Sequence, residues 1–102
     1  MKEYELFLPL SDNNSVPFDL AFIPSIRVRL LEQFGGVTFF PQANEGYWQM
    51  AGVTYRDEIV IFRVVASNQR TARRFFRQLK EELKRALRQE EILIIERDVE
   101  TL

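Results

Sequence analysis

The 102-residue sequence predicts one α+β domain, in which a four-stranded antiparallel sheet carries two helices on one face. Three observations lead to this prediction. The length suits a single hydrophobic core spanning residues 1–102. Four segments have the alternation or the β-forming residues of strands, and two others have apolar residues at helical spacing. In chain order the elements read βαββαβ.

The first strand is predicted over residues 3–10, EYELFLPL, where the even positions are apolar. A loop of turn-forming residues follows. The segment FIPSIRVRLLEQF, residues 22–34, then has the apolar spacing of a helix. Proline is tolerated in the first turn of a helix but not further in, so we expect this helix to begin just before Pro24. Gly35 marks its end.

The next two strands are predicted over GVTFFP, residues 36–41, and VTYRDEIVIFRVVA, residues 53–66. Residues 42–52 between them contain two glycines and show no helical period. We therefore expect a connection of about ten residues, which is longer than the usual hairpin loop.

The second helix is predicted within residues 68–90, which contain neither Gly nor Pro. Its apolar stripe consists of Ala72, Phe75, Phe76, Leu79, Leu83, Ala86 and Leu87. The last strand is predicted in EEILIIERDVE, residues 90–100. This element order predicts a ferredoxin-like βαββαβ sandwich with strand order 4-1-3-2 and both helices on one face of the sheet.

Strands three and four are apolar on both sides. Of residues 59–65 only Arg63 is polar, and residues 92–95 are all apolar. Only one side can pack against the helices, and a sheet face left in water normally alternates with polar residues. We therefore expect a symmetric homodimer through the other face. The alternative is that the tail of the chain folds over it.

Composition excludes several chemistries. The chain has no Cys and no His, which removes disulfides, thiolate nucleophiles, Cys- or His-ligated metal sites and a Ser-His-Asp triad. We expect no metal, no cofactor and no catalytic residue. The first ten residues lack an uninterrupted apolar stretch and no segment is apolar enough to span a bilayer, so we expect a cytoplasmic protein without a membrane partner.

A candidate ligand site surrounds the connection and the third strand. Its residues are Tyr47, Trp48, Tyr55, Asp57, Glu58 and Arg63. The aromatic residues would form walls, Asp57 or Glu58 would accept hydrogen bonds, and Arg63 would bind an anion. Glu5 is expected to pair with Arg63 across neighbouring strands. Alternatively, the aromatic side chains only pin the hairpin to its sheet or to a partner subunit.

The second helix also carries a basic stripe opposite its apolar stripe, within roughly 140° of its circumference. Its residues are Arg70, Arg73, Arg74, Arg77, Lys80, Lys84, Arg85 and Arg88. This stripe is a candidate site for nucleic acid or an acidic protein. The alternative is a solvated helix face in which Glu81 pairs with its basic neighbours. The glycine-containing signature of RNA-recognition strands is absent from strand three.

The segments RLLEQFGGVTFFPQANEGYW, VTYRDEIVIF and QEEILI together resemble a family of small bacterial proteins of uncharacterised function. The resemblance covers nearly the whole chain and implies a ferredoxin-like domain, without an activity or site residues. The main prediction is a non-enzymatic homodimeric binding or regulatory module. The alternatives are a nucleic-acid-associated accessory protein that uses the basic stripe, and a cofactor-free enzyme with Asp57 or Glu58 as base and Tyr55 as acid.

Overall fold

A computed structural model describes all residues from Met1 to Leu102 and contains four strands and two helices. In chain order these are β1 (Lys2–Pro9), α1 (Phe22–Phe34), β2 (Thr38–Met50), β3 (Val53–Ala66), α2 (Gln69–Ala86) and β4 (Ile94–Asp98). The predicted order βαββαβ is therefore confirmed. Neither helix has the combination of length and apolar character needed to cross a lipid bilayer.

The four strands form one antiparallel sheet in the order β2-β3-β1-β4, which is the predicted order read from the other edge. β1 pairs with β3 over its whole length, from Lys2 opposite Ala66 to Pro9 opposite Ile59. On its other side β1 pairs with the shorter edge strand β4. The ferredoxin-like α+β fold predicted from the sequence is confirmed.

Local sequence signals explain where both helices begin and end. Pro24 is the third residue of α1, within the first turn, where its missing N–H is not needed. Gly35 ends α1 in the left-handed conformation, with φ of 76°. Asn68 caps α2, because its side-chain oxygen accepts a hydrogen bond of 3.0 Å from the backbone N–H of Thr71.

The core lies between the helices and the even-numbered positions of β1 and β3. Fifteen buried residues form one cluster: Tyr4, Leu6, Leu8, Ile26, Leu30, Val60, Phe62, Val64, Ala66, Ala72, Phe76, Leu79, Leu83, Leu87 and Ile92. Aromatic stacking connects the layers, since the ring of Phe76 on α2 lies 4.8 Å from Tyr4 on β1 and 5.4 Å from Phe34 on α1. Most of the helical residues in this buried cluster belong to the predicted apolar stripe of α2.

The expected ten-residue connection between β2 and β3 is wrong, because β2 continues through it to Met50. An irregularity between Phe40 and Asn44 shifts the register, after which pairing with β3 resumes. Ala51 and Gly52 then make a two-residue turn with φ of 52° and 78°. Positive φ at both central residues is the requirement of a type I′ turn, whose twist matches the two strands.

The predicted start of the last strand is also too early, because β4 begins at Ile94 rather than at residue 90. Residues 90–93 form a connection that approaches β1, where the N–H of Phe7 donates a hydrogen bond of 3.0 Å to the carbonyl of Leu93. This connection forms one wall of a groove on the side of the sheet that carries no helix.

Candidate functional site on the open face of the sheet

We use the term open face for the side of the sheet that carries no helix. On β3 it presents the odd-numbered residues from Tyr55 to Val65. Glu3, Glu5 and Phe7 are their neighbours on β1. Several apolar side chains are exposed here, including Met50, Val65 and Leu93 at 50 %, 38 % and 53 %. The prediction of an apolar second face therefore agrees with the positions of these side chains.

The only two buried charged residues of the chain, Glu5 and Asp57, both lie on the open face. Burial of a charged group is unfavourable unless partners compensate it. Glu5 and Asp57 differ in this respect, and the difference separates the face into two regions. We call them the ion cluster and the groove.

The ion cluster consists of Glu3, Glu5, Arg63 and Arg97. Arg63 donates a hydrogen bond of 3.0 Å to Glu5, which is the cross-strand contact expected from the strand order. Arg97 on β4 donates to Glu3 at 2.7 Å and also to Glu5. Nε of Arg63 lies 3.1 Å from an oxygen of Glu3 without hydrogen-bond alignment. Two carboxylates thus face two guanidinium groups.

This arrangement keeps Glu5 ionised and holds Arg63 in place. Burial alone raises the pKa of Glu5, but hydrogen bonds from Arg97 and Arg63 outweigh it and leave the pKa below its usual value. The guanidinium of Arg63 also lies 5.0 Å from the ring centroid of Phe40, in a cation–π contact. Arg63 is therefore committed to neighbours in its own sheet.

The groove lies at the other end of the open face, between the β2–β3 hairpin and the connection before β4. It has a volume of about 530 Å³ and is lined by fifteen residues: Phe7, Pro9, Asn13, Gly46, Tyr47, Trp48, Gln49, Met50, Asp57, Ile59, Gln89, Glu90, Glu91, Ile92 and Leu93. Its size falls within the range of small-molecule sites, and its lining combines apolar side chains with a few polar ones, as such sites usually do.

Asp57 is the buried polar group of this groove. It is 8 % exposed, and its carboxylate has no hydrogen-bond or ion-pair partner within the protein. Burial raises its pKa above the usual range. Gly46 lies directly opposite Asp57 on β2 and has no side chain to cover it. The groove therefore contains a carboxylate that no protein group binds and whose oxygens remain in contact with solvent.

The structure does not bring all six predicted ligand-site residues together. Trp48 and Asp57 line the groove, and Tyr55 stacks on Trp48 with ring centroids 6.2 Å apart. Tyr47 contributes to the rim, but its hydroxyl donates to Glu45 at 3.0 Å on the other face of the hairpin. Arg56 and Glu58 lie on that face too.

Arg63 is also separate from the groove. It lies six residues from Asp57 along β3, or about 20 Å at the rise of a strand. A cofactor-free enzyme would need one pocket that joins Tyr55, Asp57 and Arg63. The distance between Asp57 and Arg63 does not fit such a pocket. Without a basic lining residue, the groove has no cationic donor for an anion.

The basic stripe of α2 is only partly neutralised. Arg73 donates to Glu96 at 2.8 and 2.9 Å, and Lys80 lies 2.8 Å from Glu91. Glu81 lies 3.6 Å from Lys84 but contacts none of the arginines that sequence spacing offered it. The guanidinium groups without a carboxylate partner are those of Arg70, Arg74, Arg77, Arg85 and Arg88.

Most residues of these two regions were not among the candidates from the sequence, and Glu3, Gly46 and Arg97 are examples. Arg97 follows Ile95 by two positions, so its place on the apolar side of β4 was a usable signal. Gly46 had no such signal, because its role depends on the register that places it opposite Asp57. That register becomes visible only once β2 is known to continue to Met50.

No family model matches the sequence, and no curated protein matches it either. Solved structures that are similar in fold include the following three. A phage SAM lyase in complex with S-methyl-5′-thioadenosine has a TM-score of 0.71 and 13 % identity, covering 95 % of this chain and 80 % of the lyase. The divalent cation tolerance protein CutA1 from Thermus thermophilus has a TM-score of 0.64 and 17 % identity, covering 97 % of this chain and 84 % of that protein.

A mutant of CutA1 from Pyrococcus horikoshii has a TM-score of 0.61 and 15 % identity, covering 100 % of this chain and 86 % of CutA1. At these identities the similarity concerns the fold. The comparisons thus support a small α+β chain of ferredoxin-like architecture, and the chemistry has to be argued from the open face.

Proposed function

We propose that this protein is a non-enzymatic binding module that associates with a second copy of itself through the ion-cluster end of the open face and holds a small ligand in the groove. One observation carries this proposal: the open face combines exposed apolar side chains with a buried, unpartnered carboxylate. Exposed apolar side chains on a sheet face favour association, and a carboxylate without a protein partner favours a ligand.

A second copy fits the ion-cluster end because this region is electrically self-complementary. Its two carboxylates and two guanidinium groups sum to zero, so a two-fold contact need not bring net like charge together. The side chain of Arg97 remains 43 % exposed and can reach across such a contact. Burial of about 600 Å² of apolar area in total would supply about 15 kcal/mol, against an association penalty of about 4–15 kcal/mol.

The molecular mass in solution tests this association. We expect the wild-type protein at tens of micromolar to have twice its chain mass of 12.1 kDa in sedimentation or light scattering. Val65→Lys puts a charge on the open face and should yield single chains. Val28→Lys changes an equally apolar residue on α1, 50 % exposed, and should leave the dimer intact. A wild-type protein that sediments as one chain would contradict the proposal.

A second candidate function is polyanion binding by the N-terminal half of α2. Arg70, Arg74 and Arg77 lie within about 60° of one another on the helix and have no carboxylate partner. The first turn of α2 contains no acidic residue, although helix N-termini favour them. Unpaired arginines beside the positive end of a helix dipole would attract phosphates.

Binding of a fluorescent single-stranded oligonucleotide tests this candidate. Its affinity should fall steeply with salt, and Arg74→Glu should weaken it about tenfold or more. Arg27→Glu on α1 changes the net charge equally and should have a smaller effect. Arg73 is a poor choice for this test, since its loss would also break the contact with Glu96. If both variants weakened binding equally, or if the affinity did not depend on salt concentration, this second candidate function would be wrong.

A further inference from the structure

We propose that the ligand of the groove is an organic cation, with an apolar body on the floor of the groove and an ammonium or similar donor group against Asp57. This inference rests on the proposed function, because it names the chemical class of ligand for the same groove. Three features of the groove lead to it: the state of Asp57, the sign of the lining charges, and the space opposite Asp57.

Asp57 supplies the counter-charge. Asp57 is only 8 % exposed as a residue, and its carboxylate, which still reaches solvent, gains no hydrogen bond or ion pair from the protein in return for the hydration it loses. A cationic donor placed against it would restore both a hydrogen bond and an opposite charge, which is the stronger class of hydrogen bond. A neutral acceptor or a second anion would add to the cost instead.

The remaining charges of the groove have the same sign as Asp57. Glu90 and Glu91 are its other charged lining residues, and no Lys or Arg lines it. Lys80 lies 2.8 Å from Glu91 and offsets that carboxylate, which leaves Asp57 and Glu90 uncompensated. The local field therefore attracts cations and repels anions, the opposite of the field at the arginines of α2.

The shape of the groove calls for an apolar body. Phe7, Ile59 and Leu93 come from three different segments and line the groove together with Trp48. A bare metal ion would use none of this surface. An aromatic or aliphatic amine would bury it and gain about 25 cal/mol for each Å² removed from water.

Gly46 leaves the room for such a ligand. A Cβ at this position would make ordinary contact with Cδ1 of Ile59 at 3.6 Å, and the backbone there has no positive φ that would require glycine. Glycine in a strand interior is otherwise unfavourable. Backbone geometry therefore does not explain the glycine at position 46. Access of a ligand to the carboxylate of Asp57 does explain it.

The test uses three probes with the same apolar body and different head groups: 4-phenylbutylamine, 4-phenylbutanol and 4-phenylbutyrate. Binding is followed through the fluorescence of Trp48, the only tryptophan of the chain, and by calorimetry. We expect the amine to bind at least tenfold more tightly than the carboxylate. Asp57→Asn should remove this preference. Glu58→Gln deletes a negative charge one residue away on the other face and should preserve it.

Two further variants probe the space. Gly46→Val should reduce amine binding tenfold or more, because its branches fill the groove, whereas Gly46→Ala should reduce it less. Valine suits a strand, so loss of fold is not the expected cause, and circular dichroism checks this. Equal binding of amine and carboxylate, or a preference that survives Asp57→Asn, would overturn the inference and leave the binding module in place. Failure of all three probes to bind at millimolar concentration would overturn both.

Discussion

At the scale of single residues, Asp57 and Glu5 show how the same type of group serves different purposes on one face. Glu5 is buried with two arginine partners and stabilises the sheet by connecting three strands. Asp57 is buried with no partner, although a neutral residue there would be more favourable for folding. Groups that oppose stability in this way are concentrated at functional sites, and this supports a role for Asp57 outside folding.

Asp57→Asn should therefore stabilise the folded protein at pH 7, by about 1 kcal/mol. Because burial raises the pKa of Asp57, its contribution to stability is fully present below the usual aspartate pKa and is lost as the pH rises through the raised value. The difference between variant and wild type should accordingly grow from pH 3 to pH 7. Urea unfolding at both pH values measures it, and a less stable variant at pH 7 would contradict this interpretation.

Glu96 gives the opposite pH dependence. Hydrogen bonds from Arg73 and Tyr4 lower the pKa of Glu96 to about 2. Burial, and secondly the hydrogen bond to Glu96, raise the pKa of Tyr4 to about 12. The stabilising contribution of Glu96 is present above the usual glutamate pKa and is lost as the pH falls toward about 2.

Tyr4→Phe tests this contribution, since it removes a hydrogen bond of 2.6 Å to the Glu96 carboxylate. We expect a loss of about 1–2 kcal/mol at pH 7 and a smaller loss near pH 2. Tyr47→Phe removes a comparable contact of 3.0 Å to Glu45 from an exposed tyrosine and should change the unfolding free energy little. Equal losses in the two variants would show that the burial of the Tyr4 contact contributes nothing.

At the scale of elements, the strength of the local pattern decided what could be predicted. α2 has one clear apolar stripe and a capping residue, and β3 is rich in β-branched residues, so both were predictable. β2 was predicted too short because Pro41, Asn44 and Gly46 are poor strand formers and the irregularity before Asn44 breaks the alternation. Pairing with β3 overrides these propensities, which no local pattern could reveal.

The turn of this hairpin gives a prediction at the same scale. Ala51 has a φ of 52°, which is unfavourable for a residue with a side chain, whereas asparagine tolerates it and Asn-Gly is the preferred pair for such turns. Ala51→Asn should stabilise the protein by up to about 1 kcal/mol, and Gly52→Ala should destabilise it by about as much. Thermal unfolding of both variants checks the expected opposite signs. Shifts of the same sign would mean that the turn has a different conformation.

At the scale of the whole molecule, the sheet has two faces with apolar side chains, and the chain itself covers only one of them. The helix side is closed by the fifteen-residue core. The open face was predictable as largely apolar, because residues 59–65, apart from Arg63, and residues 92–95 are apolar on both sides of their strands. Its division into an ion cluster and a groove was not predictable, since it depends on which strands lie side by side and on the connection before β4.

Association through the open face has a thermodynamic consequence for the whole chain. If folding and dimer formation are coupled, mass action makes the unfolding temperature depend on protein concentration, whereas that of a monomer does not. For a chain of this size we expect a rise of about 5 °C over a hundredfold increase in concentration. Val65→Lys should remove this dependence, and Val28→Lys should retain it.

Scanning calorimetry or circular dichroism between about 2 and 200 μM measures this shift. The shift in unfolding temperature can also test whether the two regions act separately, because the groove and the ion cluster lie at opposite ends of the open face. If the two sites act separately, a saturating concentration of 4-phenylbutylamine should raise the unfolding temperature of wild type and of Val65→Lys by similar amounts. A rise confined to the wild-type dimer would mean that the partner copy completes the groove, and that the two regions of the open face form one site.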